Sequence, residues 1–131
     1  MINKCDLNLR VAHILSQDQN NNDGWTTSIH CSYYAVFQYM KYLLAEKVNN
    51  PITYEEQNNQ KGDSHKFILT EIKNRIESSD TARKIRDRVL NLQQQRVEAD
   101  YKPKIFSQEE ALTCKSEADA IIKNLKTLFR A

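Results

Sequence analysis

The sequence predicts an all-α protein, an up-and-down antiparallel bundle of about five helices, and three observations carry that prediction. Only two glycines and two prolines occur among 131 residues, too little of the punctuation that hairpins need. Apolar residues recur at steps of three and four through most of the chain, the period of a helix face rather than of a strand. Two capping boxes, Thr53 to Glu56 and Ser107 to Glu110, set a hydroxyl three residues before a glutamate, which satisfies the free N–H groups of a helix start.

The first helix is expected from about Asp6 to Gln19, with Leu7, Val11, Ile14 and Leu15 on its inner face. Asn20, Asn21, Asn22, Asp23 and Gly24 follow as a loop, because these residue types favour turns. The second helix is expected from about Trp25 to Lys47. Trp25, Ile29, Tyr33, Val36, Phe37, Met40 and Leu44 share one side, and Cys31, Ala35, Tyr39, Tyr42 and Ala45 occupy the other. A helix that is apolar nearly all round belongs at the centre of a bundle or in a subunit interface.

From Val48 to Asp63 the pattern breaks. Pro51, Gly62 and amides including Asn49, Asn50, Gln57, Asn58 and Asn59 mark a long connection, with one helical turn at the first capping box. Connections of this length are often functional. A third helix is expected from about Ser64 to Glu77 with Phe67, Ile68, Ile72 and Ile76 inward. The fourth runs from about Asp80 to Tyr101. Its inner positions are Ala82, Ile85, Val89, Leu92 and Ala99, and Arg96 takes the remaining place in the series. Pro103 disfavours helix at Lys102 and ends it. The second capping box opens the fifth helix, with Leu112, Ala118, Ile121, Leu125, Leu128 and Phe129 on its face.

Length fits a single domain, residues 1–131, with one core. A net charge of +2, from 19 basic and 17 acidic residues, is too mild to point to nucleic acid by itself. Cys5, Cys31 and Cys114 are odd in number and unpaired in spacing, so free buried thiols are expected rather than a disulfide framework or zinc site. The most apolar stretch, Ile29 to Ala45, is shorter than the ~20 residues that cross a bilayer and holds Lys41, His30, Ser32 and Gln38. Lys4, Asp6 and Arg10 interrupt any leader-like run at the start. A cytoplasmic protein without a membrane partner is expected. No cofactor or metal is expected either, since Gly-rich phosphate loops, nucleophile elbows and metal-ligand spacings are absent.

Arg96 stands out among candidate functional residues. An arginine in the inward stripe of a helix is costly to bury unless it has a partner or lines a cleft. Asp100, one turn later, can supply an ion pair that stiffens the bundle, and a role in binding or catalysis is the alternative. His30, beside Tyr33 and Tyr34, reads as a hydrogen-bonded core histidine or a weak acid–base candidate. His65 reads as an exposed residue of a capping region. Tyr33, Tyr34, Tyr39 and Tyr42 either pack or stack bases. The basic run Lys73, Arg75, Arg83, Lys84, Arg86 and Arg88, diluted by Glu77, Asp80 and Asp87, is either a solvated face or a strip for phosphates.

The run SIHCSYYAVFQYMKYLL, Ser28 to Leu44, resembles the Ser-x-Tyr-Tyr-Ala-x-Phe signature of HEPN domains (higher eukaryotes and prokaryotes nucleotide-binding). RVEADYKP, Arg96 to Pro103, resembles the segment where that family places an arginine before Ala-Asp-Tyr, and FSQEEA, Phe106 to Ala111, its next helix start. The resemblance implies a helical bundle that commonly dimerises. In many members an arginine, with a histidine four to six residues on, forms a metal-independent ribonuclease site across the dimer. Others are non-catalytic partners of small nucleotidyltransferases, or modules that bind RNA or nucleotides. Arg96 matches the arginine, but Tyr101 stands five residues on and no histidine follows His65. Proton transfer near neutral pH suits histidine and not tyrosine, with a pKa of ~10. The reading is therefore a non-catalytic module, a homodimer binding RNA, a nucleotide or a partner protein such as a nucleotidyltransferase. Arg96, Asp100, Tyr101, Tyr33 and Tyr34 are its candidate binding residues. The alternatives are a divergent, toxin-like ribonuclease drawing on Arg96, Tyr101 or His30, and a structural helical adaptor.

Overall fold

The described residues form six helices: α1 (Ile2–Gln17), α2 (Asn22–Glu46), α3 (Tyr54–Asn58), α4 (Ser64–Asn74), α5 (Ser79–Tyr101) and α6 (Gln108–Phe129). They are seen in a computed structural model that describes residues 1–20 and 22–131. Among those residues there is no strand, and no helix is long and apolar enough to cross a membrane. Helix α2 is the axis. It packs against α1, α4, α5 and α6, while α3 bridges α2 and α4.

Both apolar sides of α2 are consumed by this arrangement. Ile29, Tyr33, Val36, Met40 and Leu44 are buried, and so are Cys31, Ala35, Tyr39 and Leu43 on the opposite side. Burying one such aliphatic side chain contributes ~1.5–3 kcal/mol, so the stability of the bundle is concentrated on this helix. Of the two placements its composition allowed, the centre of the bundle is the one the protomer uses.

Helix α1 corrects the sequence expectation twice. It begins at Ile2, not Asp6, and Leu7 and Ile14 are 52% and 66% exposed. The inner stripe is Ile2, Cys5, Leu9, Ala12 and Ser16, again at helical spacing. Small residues replace large ones there because α1 and α2 lie close together: Ser28 Oγ donates to the Ala12 carbonyl at 2.7 Å. Asn8 Nδ2 donates to Gln38 Oε1 at 2.7 Å, and the pairings 12–28 and 8–38 fix the two helices as antiparallel.

The asparagine-rich loop is shorter than expected. Asn22, Asp23 and Gly24 are the first turn of α2, where an aspartate complements the helix dipole, and Asn21 lies outside the described residues. Trp25 Nε1–H reaches back to the Asp18 carbonyl at 2.6 Å. Helix α3 opens where the first capping box was expected, with half of the box formed: Thr53 Oγ1 accepts from the Glu56 N–H. Helix α4 stops at Asn74 rather than Glu77. Its last turn tightens, with Arg75 and Ile76 N–H groups bonding three residues back, and Ser78 then caps α5. The Ser107–Glu110 capping box opens α6 as expected. On α6, Leu112 and Leu128 are 38% and 41% exposed, and Ala111, Cys114 and Ile122 are buried instead.

The three cysteines are free and buried. Burial pushes the Cys5 thiol up to about 12 and Cys114 to about 11, and raises Cys31 as well. The thiolate is the reactive form. Native protein at pH 8 is therefore expected to be inert to Ellman's reagent over minutes, with three thiols per chain released in guanidinium. Rapid labelling of a native thiol would contradict this packing.

Candidate functional site

Helices α2 and α5 cross so that residues 30 and 33 face residues 100 and 96. Arg96 sits in the inner stripe of α5 and is 7% exposed, as its place between Leu92 and Ala99 required. Its guanidinium lies 5.2 Å from the Tyr33 ring and 5.4 Å from that of Tyr34. Cations over tyrosine faces gain more when desolvated, as here. Nη1 meets Asp100 Oδ2 at 3.4 Å, a long ion pair, and Nε is buried with no hydrogen-bond partner among the described residues.

Asp100 has a second and closer partner. His30 Nδ1 lies 2.8 Å and 3.0 Å from its two carboxylate oxygens. A carboxylate only accepts, so Nδ1–H donates and Nε2 is left free at the surface. The His30 side chain is 42% exposed, which replaces the expected core histidine with one open to solvent. Its ring packs on Tyr34 at 4.6 Å.

His65 is likewise placed differently from the sequence expectation. Asp63, not His65, caps α4, accepting from the His65 and Lys66 N–H groups. The His65 ring turns inward, stacks on Phe37 at 4.2 Å and meets the Tyr33 hydroxyl at 2.6 Å through Nδ1. Burial raises the Tyr33 phenol well above the ordinary tyrosine value. Burial and then the Arg96 charge hold His65 below its ordinary 6.5. With both groups neutral, the Tyr33 O–H can donate to Nδ1.

This has a consequence for stability. Unfolding lets His65 bind a proton at its ordinary value, so below about pH 6.5 the unfolded chain takes up more protons than the folded one. Stability present above that pH is lost as pH falls toward the depressed folded value. The melting temperature, followed by circular dichroism, is expected to fall from pH 7 to about pH 5, and to fall less steeply in His65→Gln. Parallel curves for the two proteins would contradict the placement of His65.

Tyr101 does not join the cluster. Five residues after Arg96 places it about 140° round the helix, whereas Asp100 is only about 40° away. Tyr101 is 73% exposed and makes no ring contact or hydrogen bond among the described residues. Tyr39 is buried and packs on Tyr42 at 5.7 Å, in the core and away from Arg96. The basic run is largely neutralised: Arg75 pairs with Glu71, Arg83 and Lys84 with Asp80, Arg86 with Asp87 and Arg88 with Glu117. Among the described residues no group of three or more metal-ligating side chains converges.

The site thus defines a helical bundle whose second long helix supplies aromatic rings and whose next long antiparallel partner supplies a buried arginine. The family model for the HEPN domain matches residues 14–128, and the chain belongs to the HEPN domain family. No curated protein matches it.

Proposed function

We propose that this chain is a non-catalytic HEPN module that binds RNA or a nucleotide at Arg96, as a homodimer. One observation carries the reading. A cation that is 7% exposed has, beside the faces of Tyr33 and Tyr34, a single 3.4 Å contact to a carboxylate that His30 approaches more closely, and among the described residues its Nε has no hydrogen-bond partner. Guanidinium carries five donors in a fork that suits phosphate, and leaving them under-used in a buried place costs free energy that a bound phosphate recovers. Tyr34, half-buried beside it, offers a ring for stacking a base. A purely structural adaptor accounts less well for Arg96, because a long and shared ion pair is a poor stiffener.

The groove between α4 and α5 supports a strand more than a lone nucleotide. It measures about 360 Å³ and is lined by Lys66, Lys73 and Arg86, the last paired with Asp87, along with Asp63 and Leu90. The homodimer draws no support from α2, whose sides are covered within the protomer. It rests on the resemblance and on Leu7 and Ile14, exposed two turns apart on α1. A nucleotidyltransferase partner rests on the resemblance alone.

A second reading, a divergent ribonuclease, is favoured by one observation: the free Nε2 of His30, oriented by Asp100 next to Arg96.

Fluorescence anisotropy of a labelled single-stranded RNA, in chelator and across a salt series, tests the main reading. Saturable binding that weakens with salt is expected, with a dimer by light scattering at micromolar concentration. Absence of binding at low ionic strength would remove the RNA reading, and a monomer would remove the dimer.

A further inference from the structure

A cleft of about 170 Å³ opens between α2, α3 and α4, lined by Phe37, Lys41, Gln57, Asn58, Ser64 and Ile68 among others. Gln57 is 3% exposed. Its Nε2 donates to the Lys41 carbonyl at 3.0 Å and to the Ile52 carbonyl at 2.9 Å. Carbonyls only accept, so these two bonds fix which end of the amide is nitrogen. The acceptor end, Oε1, is buried and has no donor among the described residues. An acceptor stranded in this way is expensive, and in a cleft wall it marks a place for a ligand N–H.

The remaining walls narrow the ligand further. Lys41 has no carboxylate partner among the described residues, and burial lowers its pKa, so an electron-rich or anionic group beside it is favoured. The largely buried Phe37, whose ring stacks on His65, and Ile68 are apolar walls, and the volume admits about one ring system. Phe37 stacks on His65, His65 bonds to Tyr33, and Tyr33 lies beneath Arg96, so cleft and guanidinium are two ends of one aromatic run along α2.

We propose that this cleft is a base subsite, taking one nucleobase with an N–H donor on its edge, from a nucleotide or an RNA strand whose phosphate is held at Arg96. Gln57 Oε1 accepts from the base, and Lys41 faces its electron-rich side. The proposal rests on the Arg96 reading above and adds what lies beyond the phosphate.

The test titrates the protein with the four nucleoside 5′-monophosphates and with ribose 5-phosphate, by calorimetry. At least one nucleotide is expected to bind about tenfold tighter than ribose 5-phosphate, the scale of one buried hydrogen bond made or left unmade. That ratio should fall to about one in Ser64→Phe, which fills the cleft mouth from an exposed position. Gln57→Leu, once shown to be folded by circular dichroism, should do the same. A labelled RNA weakened by Ser64→Phe, with mononucleotides showing no advantage, would assign the base to a strand. Equal affinity for all five small molecules together with RNA binding untouched by Ser64→Phe would overturn the cleft while leaving the Arg96 phosphate site standing. Failure of ribose 5-phosphate, nucleotides and RNA alike would overturn both.

Discussion

Arg96→Ala is expected to weaken RNA binding about ten- to a hundredfold while changing folding stability by no more than about 1 kcal/mol, the binding loss being what a charge-assisted hydrogen bond is worth. The stability side follows from opposing terms. Alanine forfeits the contact of the guanidinium with Tyr33 and Tyr34, worth up to ~2 kcal/mol when desolvated, and some packing of the arginine stem. It also removes a buried cation whose desolvation the 3.4 Å pair with Asp100 offsets only in part. Asp100 is not orphaned by the change, because His30 holds it at 2.8 Å. The terms nearly cancel, and the melting temperature should move by a few degrees at most.

A structural adaptor would behave in the opposite way. If Arg96 served only to lock α5, its loss would cost the ~3–5 kcal/mol of a broken buried pair and leave RNA affinity where it was. Arg96→Lys adds a second discrimination. Lysine restores the charge but not the planar fork, so it should recover only part of the affinity. Anisotropy and thermal denaturation on the same three proteins give the answer.

The fold was largely legible because its main signals are local. The capping boxes at Thr53 and Ser107 each start a helix, and of the stripe Ala82, Ile85, Val89, Leu92, Arg96 and Ala99 all but the partly buried Ala99 are buried. Helix α1 departs from the expectation that large apolar residues point inward. Close approach to α2 selects small ones, so Ala12 and Ser16 are buried and Leu7 is not. Asn22 to Gly24 were misread because turn-forming residues are also good helix starters.

The site was half legible. The depth of Arg96 and its pairing with Asp100 follow from spacing on one helix. The contact of His30 with Asp100 spans 70 residues and depends on how α2 and α5 register, which no spacing along one helix encodes. Once Tyr33 is set against Arg96 in an antiparallel pair, His30 falls opposite Asp100 as a matter of geometry. His65 was hidden for the same reason, since only the packing of α4 on α2 turns its ring from the surface onto Phe37. Tyr101 shows the converse error: the resemblance aligned it with the family histidine, but five residues after Arg96 is the wrong side of the helix for a contact within one protomer.

The second large effect concerns His30. A labelled RNA pool incubated with the protein in chelator is expected to remain intact, and the reason lies in what the protomer lacks. Cleavage by the 2′-hydroxyl needs a base to take its proton and an acid to protonate the leaving oxygen. His30, with Nδ1 bound to Asp100 and Nε2 free, is equipped as the base. Within the protomer no second histidine contacts it among the described residues. The Tyr33 hydroxyl is buried, raised well above its ordinary value and engaged with His65, while His65 is depressed and therefore neutral near pH 7. Arg96 can stabilise charge on phosphate but does not give up a proton. Within one protomer, one base and one electrophile fall short of the pair the reaction requires, so binding without turnover is the expected result. Cleavage by the wild type would reverse the assignment. It would then have to depend on His30, and His30→Ala should slow it by ~10²–10⁴, the usual contribution of a positioned acid or base. Cleavage untouched by both His30→Ala and Arg96→Ala would point instead to a contaminant.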